Sequence, residues 1–314
     1  MSDPFDTLAG WLSEHLLIPL LWQVGLMRWE DLAYGWALFA TYGAMQVALM
    51  YAICLPLERF FPIERWPDHR VELTDMFYTV LARVGLLPLV TFVLFFRVQV
   101  AFSGWLTDHG YVPPTLERAI PGLLGHPILT FLAYALILDF ADYWRHRLSH
   151  RFRWWYALHA LHHAQRQMTF WSDDRNHLLD DLIAALWFGV IALGVGVPPL
   201  QFPLLVLVLR FLESLSHANT RLSFGWLGER LLISPRFHRV HHAARAAGKQ
   251  SCNYGAVFPY WDMLFGTADF TTQYAPTGDP RAPEALASGG YLAQQWAGLQ
   301  GFIQALAPPR GHLS

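Results

Sequence analysis

Residues 138–163 read LDFADYWRHRLSHRFRWWYALHALHH, and within this stretch an apolar segment gives way to a histidine-rich one. The first two histidines, His146 and His150, are four residues apart and therefore share one face of a helix. Such a pair alone is typical of the polar end of a surface helix. The histidines that follow it along the chain favour a different interpretation.

Two copies of the pattern His-x-x-His-His come after this pair, at His159-Ala-Leu-His162-His163 and at His238-Arg-Val-His241-His242. On a helix, His159 and His163 share a face, whereas His162 lies one turn on and slightly rotated. A neutral imidazole is a costly residue in a protein core, because its ring leaves one donor and one acceptor to satisfy. The two copies therefore indicate metal ligands and not packing.

Two single histidines flank the apolar segment Leu182–Leu209, with His177 before it and His217 after it. A packing role is the usual one for a lone histidine, but placement at both feet of one segment favours a metal role. With these two, ten of the 15 histidines fall between His146 and His242. We predict all ten as metal ligands.

Two carboxylates precede the first histidine pair. Asp139 and Asp142 lie seven and four residues before His146, on roughly the same helical face. A carboxylate in such a position can accept the second ring proton of a metal-bound imidazole and so fix its tautomer. We therefore predict that both aspartates support the metal ligands.

The number of imidazoles indicates more than one metal ion. A structural zinc takes four ligands and a catalytic zinc typically three plus water, so ten histidines exceed the needs of one ion. Two six-coordinate ions that share a bridging oxygen would use about that number. Imidazole suits iron, zinc, copper and nickel alike, so the ligand type does not choose the metal.

The composition points to lipid as the solvent for much of the chain. Hydrophobic residues make up 54% and charged residues 15% of it, whereas soluble domains are nearer a quarter charged. A net charge of -2 argues against a nucleic-acid partner. Cys54 and Cys252 are too few for a disulfide framework or a thiolate metal site. Unactivated C–H bonds of a lipid require oxidation, which favours a redox metal, iron being the usual one.

Four apolar segments are predicted to enter the membrane. Leu32–Leu55 is uncharged and long enough to cross a hydrocarbon core of ~30 Å. Tyr78–Phe102 is a second candidate, and a third runs from Leu123 to Leu138. The fourth, Leu182–Leu209, is uncharged throughout.

The fourth segment is interrupted in its middle by Gly194, Gly196, Pro198 and Pro199. Because these residues break helices, we interpret it as a helical hairpin that enters and leaves by the same face. One long kinked helix is the alternative, and it would change the topology.

Basic residues support this topology. They cluster after the first span, after the third span and after the hairpin, at Arg59, Arg65, Arg70, Arg145, Arg147, Arg151, Arg153, Arg166, Arg236, Arg239, Arg245 and Lys249. All three clusters fall on one side, which the positive-inside tendency places in the cytoplasm. Lys249 is the only lysine, which indicates a GC-rich, bacterial gene and hence a bacterial inner membrane.

The sequence therefore predicts an all-α integral membrane bundle of three spans plus a helical hairpin, with a cytosolic histidine-rich helical cap that holds two metals. Residues 1–30 form an interfacial segment, since Trp11–Met27 is apolar but short. Residues 31–270 form the membrane-embedded domain, and residues 271–314 form a peripheral tail rich in Pro, Gly and Ala.

In its histidine boxes the chain resembles the fatty-acid hydroxylase/sterol desaturase superfamily. The boxes stand here as Asp-Tyr-Trp-Arg-His146-Arg-Leu-Ser-His150, Leu-His159-Ala-Leu-His162-His163 and Arg-Phe-His238-Arg-Val-His241-His242. The segments Asn253-Tyr254-Gly255, Trp261-Asp262 and Phe265-Gly266-Thr267 are also similar to the family's C-terminal region. The resemblance covers roughly Ala133 to Thr267.

This resemblance implies two non-haem irons, dioxygen as co-substrate and a membrane lipid as substrate. Two electrons would come from a separate ferredoxin, cytochrome or reductase. The histidines would act as ligands with no further catalytic residue, and Asp173 or Asp174 would support them. The family often has His-Pro-x-Glu where this chain reads His177-Leu-Leu-Asp180-Asp181, which weakens the assignment of His177. Some members have a second histidine near position 217, where Asn219 could ligate here.

The predicted function is dioxygen-dependent hydroxylation or desaturation of a sterol, fatty acyl chain or ether lipid. A membrane metal transporter or metal buffer is one alternative, although it would need ionisable residues inside its spans. The uncharged segment Leu32–Leu55 argues against this alternative. A zinc-dependent lipid hydrolase is a second alternative, but it would leave most of the histidines unexplained.

Overall fold

The fold of the chain is helical throughout the part that the computed structural model describes, residues 4–66, 69–196, 202–244 and 251–307. Within those ranges the only extended pairings are two isolated bridges, Thr115 with Gly196 and Ala243 with Thr277. The α-helices are α1 Pro4–Leu12, α2 Ile18–Gln23, α3 Glu30–Phe60, α4 His69–Arg83, α5 Leu86–Asp108, α6 Leu116–Ala119, α7 Pro127–Arg151, α8 Arg153–His163, α9 Leu178–Gly194, α10 Phe202–His217, α11 Gly225–Gly228, α12 Pro235–His241, α13 Tyr260–Leu264, α14 Glu284–Ser288 and α15 Tyr291–Leu306. The shorter turns are a π-helix at Ser13–Leu17 and 3₁₀-helices at Met27–Trp29, Pro121–Leu123 and Phe170–Asp174.

Two helical stretches are long and apolar enough to cross a membrane, Met27–Phe60 and Pro127–Arg151. The first stretch contains the first predicted span, and the second contains the third predicted span from Pro127 onward. Most residues in their most apolar windows are not buried within the protein, and Ile128 on α7 is 75% exposed. A buried helix of a soluble core would hide such side chains, so these two helices present apolar faces to their surroundings.

The second predicted span, Tyr78–Phe102, is not one helix. The chain breaks between α4 and α5 at Gly85, whose φ of +89° is a left-handed conformation that glycine adopts without strain. Arg83 at the end of α4 is buried and forms ion pairs with Asp173 at 2.9 Å and Asp174 at 2.8 Å. The arginine that interrupts the apolar pattern therefore belongs to an ion-pair network and not to a span.

The predicted hairpin corresponds to α9 and α10. Pro198 and Pro199 lie outside the described residues. Asp174, just before α9, accepts a hydrogen bond from Arg210 on α10 at 3.2 Å, so the chain at the start of α9 lies beside α10. At the far end, Tyr111 donates to the carbonyl oxygen of Leu193 at 2.5 Å. The chain thus reverses direction, and the alternative of one long kinked helix is wrong.

The C-terminal region packs more closely than the sequence predicts. A peripheral tail is expected after residue 270, whereas α15 packs along α8 and α14 lies beside it. The fully buried Arg175 donates to the carbonyl oxygens of Leu286 at 2.5 Å and Ala287 at 3.1 Å. These contacts make α14 and α15 part of the same helical body that holds the histidines.

Candidate metal centre

The histidine boxes meet where α7, α8, α12 and the end of α10 converge. Nine histidines form two groups, within each of which the candidate ligand atoms all lie within 4.8 Å of one another. The first group consists of His146, His150, His159, His163 and His241. The second group consists of His162, His217, His238 and His242. All nine are buried except His150, which is half-buried.

Helix geometry explains how each of the two His-x-x-His-His boxes contributes to both groups. Successive residues of an α-helix are rotated by about 100°, so neighbouring histidines point in different directions. In α8, His163 joins the first group and His162 the second. At the end of α12, His241 joins the first group and His242 the second. Each His-x-x-His-His box therefore serves both groups.

The short helix α12 is fixed at its start by local signals in the sequence. Ser234 caps it by accepting a hydrogen bond from the backbone N–H of Phe237 at 3.2 Å. Pro235 occupies the first helical turn, where its missing N–H leaves no bond unmade. These signals set the direction of a helix that is only seven residues long. They thereby direct the three histidines of the last box inward.

Backbone carbonyls hold several of the rings in one tautomer. The Nδ1 atom of His146 lies 2.8 Å from the carbonyl oxygen of Tyr254, and that of His217 lies 2.8 Å from the carbonyl of Glu213. The Nδ1 atom of His241 lies 2.6 Å from the carbonyl of Cys252. A carbonyl oxygen can only accept, so each ring carries its proton on Nδ1 and presents an unprotonated Nε2 atom to its group.

The Nε2 atoms converge in a way that fits bound cations. His217 Nε2 lies 3.0 Å from His238 Nε2 and 3.3 Å from His162 Nε2. In the first group, His241 Nε2 lies 3.0 Å from His163 Nε2. The Nε2 atoms of His146 and His159 are buried and make no hydrogen bond within the described residues. Buried lone pairs without donors cost free energy, and a metal ion at the first group would satisfy these two.

The protonation state of the rings also suits metal binding. Burial lowers the pKa of His162, His163, His238 and His242 well below the ordinary value of 6.5. The neighbouring imidazoles lower these pKa values further, because a second positive charge nearby disfavours protonation. The four rings are therefore neutral at physiological pH, which is the form that binds a metal.

The predicted supporting carboxylates of α7 have other partners. Asp139 accepts hydrogen bonds from the backbone N–H of Val257 at 2.8 Å and from the indole N–H of Trp261 at 2.9 Å. Asp142 accepts from Arg145 at 2.6 Å. The Nδ1 proton of His146, the nearest predicted ligand in the chain, goes to the Tyr254 carbonyl and not to either aspartate.

The other predicted supporting residues lie near the second group. The carboxylate of Asp173 is 3.6 Å from His217 Nδ1 and also accepts from Ser214 at 2.8 Å. Asp174 pairs with Arg83 at 2.8 Å. Asn219 donates to the backbone carbonyl of Glu64 at 2.7 Å and accepts from its N–H, so its side chain fastens a loop.

His177 lies outside both groups. Its Nε2 atom is 2.8 Å from the carbonyl oxygen of Gln295, and its Nδ1 atom accepts the N–H of Leu179 at 3.1 Å. Both ring nitrogens are thus engaged with the protein. The structure does not bring this histidine to the candidate ligands, which leaves nine of the ten.

Asp180 is a residue near the site that the sequence analysis did not single out. It accepts hydrogen bonds from His159 Nδ1 at 3.1 Å and from the indole N–H of Trp155 at 2.8 Å. Its spacing of three residues from His177 was the available signal, since it falls where the family pattern has an acidic residue. The backbone carbonyls of Tyr254 and Cys252 could not be predicted from the sequence as partners of the histidines, because every residue has a backbone carbonyl.

Comparisons with known proteins agree with this geometry. The family model for the fatty acid hydroxylase domain matches residues 131–267. The human (Homo sapiens) alkylglycerol monooxygenase is 31% identical over 144 residues, which are 44% of this chain and 30% of that protein. The Oryza sativa subsp. indica very-long-chain aldehyde decarbonylase GL1-8 is 33% identical over 141 residues, covering 43% of this chain and 50% of the relative.

A third relative is methylsterol monooxygenase 1-3 of Arabidopsis thaliana, 26% identical over 147 residues, or 45% of this chain and 48% of the relative. The chain thus spans at most about half the length of these relatives. No solved structure gives a significant match. All nine grouped histidines fall within the matched segment, and in that segment the chain is similar to the fatty-acid hydroxylase/sterol desaturase superfamily.

Proposed function

We propose that the chain is a membrane enzyme that uses dioxygen to hydroxylate or desaturate a lipid at a centre of two non-haem irons. The observation that carries the proposal is the division of nine imidazoles into two adjacent buried groups. A single zinc site would use three or four of them, whereas two ions use them all.

The first group would hold one iron and the second group the other. Bound iron supplies dioxygen activation and the oxidising power to break an unactivated C–H bond. The chain's own residues keep the imidazoles neutral by burial and fix their tautomers through the carbonyls of Glu213, Cys252 and Tyr254. Burial also limits the access of water, so that an oxidant formed here meets an apolar substrate and not solvent.

The substrate class follows from the surroundings of the site. The printed names of the relatives refer to alkylglycerols, very-long-chain aldehydes and methylsterols, all of them apolar. In this chain, α3 and α7 expose apolar side chains along their length, and α7 carries His146 and His150 at its polar end. We infer that a lipid reaches the histidines from the bilayer, as an acyl chain, an ether lipid or a sterol.

The two apolar helices and the similarity to this superfamily indicate a membrane protein. We propose that α3, α5 and α7 cross the bilayer and that α9 and α10 form the hairpin. The arginine clusters support a cytoplasmic position for the histidines in this proposal. The bacterial inner membrane stays a prediction from lysine usage, and the relatives named above, all eukaryotic, lend it no support.

The reaction needs an external reductant. Hydroxylation converts the lipid C–H bond, dioxygen, two electrons and two protons into a C–OH group and one water. Desaturation removes two hydrogens from the lipid and, with the same two electrons and two protons, reduces dioxygen to two waters. A ferredoxin, cytochrome or reductase that docks on the cap would deliver the electrons.

The metal transporter or buffer and the zinc-dependent hydrolase remain the competing functions. A transporter needs a polar path through its spans, whereas the grouped histidines lie at helix ends. A hydrolase needs one zinc and a general base, and would leave the second group without a role.

The test starts from the chain purified in detergent. Elemental analysis should find two irons per chain, and a ferredoxin with its reductase should support oxygen consumption and an oxidised lipid detected by mass spectrometry. Protein reloaded with zinc is the matched control and should give no oxidised product. One zinc without iron in the purified protein, or metal flux in vesicles without oxidation, would overturn the proposal.

A further inference from the structure

Asp180 connects two helices at the edge of the first group. It lies in the first turn of α9 and is buried. One carboxylate oxygen accepts from Trp155 at 2.8 Å and the other accepts from His159 Nδ1 at 3.1 Å. Because a carboxylate only accepts, the His159 ring carries its proton on Nδ1. The Nε2 atom lies among the candidate ligands, buried and with no hydrogen bond inside the described part of the chain.

The partner of His159 differs in charge from those of its neighbours. His146 and His241 donate to neutral backbone carbonyls, whereas His159 donates to an anion. An anionic partner holds the tautomer and makes the imidazole a stronger metal ligand. We propose that Asp180 is the positioning residue that aims and strengthens His159 for the metal of the first group. The inference rests on the metal binding of the proposed function and goes beyond it by assigning this residue.

The C-terminal helix α15 holds the turn from which Asp180 projects. Gln295 accepts the N–H of Leu178 at 2.9 Å through its side chain and a bond from His177 Nε2 at 2.8 Å through its carbonyl. His177 in turn accepts the N–H of Asp180 through its own carbonyl at 2.8 Å. The histidine outside the two groups therefore acts, in this proposal, as a clamp between α15 and the start of α9.

Close approach of α15 to this clamp requires a glycine. A Cβ atom built at Gly298 would lie 2.5 Å from Cδ2 of His177, which is shorter than real Cβ contacts. The ring of His177 is held on both nitrogens and cannot swing aside without losing those bonds. A Cβ atom at Gly301, one turn on, would meet only Ala157 at an ordinary 3.7 Å.

The first test replaces the charge of Asp180 and keeps its shape. Metal-depleted protein is loaded with Co²⁺, and its Co²⁺ affinity is measured by titration against a chelator. The variants His150→Ala and His242→Ala, which each lack a ligand of one group, show which Co²⁺ signal belongs to the first site and which to the second. We expect Asp180→Asn to weaken Co²⁺ binding about 10- to 100-fold at the first site only, and to shift the visible absorption of that Co²⁺. Asp181→Asn, the same chemical change one residue on, should leave both sites unchanged.

The second test probes the clamp without touching a group that contacts a candidate ligand. Gly298→Ala should weaken the same Co²⁺ site, by less than Asp180→Asn does, and Gly301→Ala should not. A thermal unfolding curve shows for each variant that the protein is folded. If folded Asp180→Asn protein binds Co²⁺ at the first site as tightly as the parent, or if Asp181→Asn weakens it equally, the assignment is wrong.

The outcome separates this inference from the proposed function. Unchanged Co²⁺ binding in Asp180→Asn, together with two irons and oxidised lipid in the parent, removes the role of Asp180 and leaves the function standing. Weakened binding at one site in a parent that forms no oxidised lipid keeps the role of Asp180 and removes the function.

Discussion

The two histidine groups are built from different numbers of rings and supported by different kinds of partner. The first group has five histidines, and one of them donates to the carboxylate of Asp180. The second has four, and the carboxylate of Asp173 lies 3.6 Å from His217 Nδ1 and is bonded to Arg83 and Ser214. A six-coordinate ion would keep one position free in the first group and two in the second. The two irons of the proposed function would then have unequal numbers of open positions.

The largest expected effect comes from adjacent histidines that serve different groups. His241→Ala removes a ligand from the first group and His242→Ala removes one from the second. Each variant should lose the metal of its own group and nearly all lipid oxidation, because both ions are needed. Elemental analysis of the purified variants should find about one metal per chain in place of two.

These variants can also break the comparison of the two groups. Co²⁺ absorption distinguishes the two remaining ions, since their ligand sets differ in number. Identical spectra from His241→Ala and His242→Ala would show that the groups are equivalent, contrary to the structure. The control variant is Arg281→Ala, because Arg281 is exposed at the surface. Asn253→Ala is not suitable as a control, because Asn253 has a positive φ of 57°.

A smaller effect is expected from the ion pairs behind the second group. Arg83→Met leaves Asp173 and Asp174 buried without their shortest ion pairs. Breaking a buried pair by removing one partner typically costs about 3–5 kcal/mol of stability. We expect a large fall in the thermal unfolding midpoint and a second site that binds metal more weakly than the first. A midpoint equal to that of the parent would show that Arg210 alone compensates both carboxylates.

The smallest effect is expected from an exposed ion pair, Arg166 with Glu284. Arg166 and Glu284 pair at 3.0 Å but are 52% and 67% exposed. Surface pairs contribute about 0–1 kcal/mol, because water screens them and two long side chains must be ordered. Arg166→Ala should therefore change the free energy of unfolding by less than about 1 kcal/mol. A loss of stability as large as that of Arg83→Met would contradict the expectation that the buried ion pairs contribute more stability than the exposed one.

The histidine boxes could be predicted from sequence because helical spacing alone relates their members. Residues four apart share a face, which places His159 with His163, and the rotation of His162 is equally fixed by the backbone. His177 could not be placed this way. Its partner, Gln295, lies 118 residues later in the chain, and no local sequence pattern predicts that contact.

The same distinction applies to the carboxylates and the second span. Helical spacing puts Asp139 on the face of His146, but Asp139 accepts its hydrogen bonds from the backbone N–H of Val257 and the indole N–H of Trp261. Arg83 interrupts an apolar pattern, and its real partners, Asp173 and Asp174, come some 90 residues later. Long-range contacts therefore decide which polar residues of a local pattern serve the site.

Adjacent residues supply both groups in each of the two longer boxes, at His162 with His163 and at His241 with His242. The spacing between the two proposed metals would then be set by adjacent residues at the ends of α8 and α12. A shift of α8 or α12 would carry ligands of both ions together, so their separation would change little when the cap moves. In such a centre a substitution would not change the position of one metal alone. We expect variation among relatives to concentrate in the residues that pack against α8 and α12.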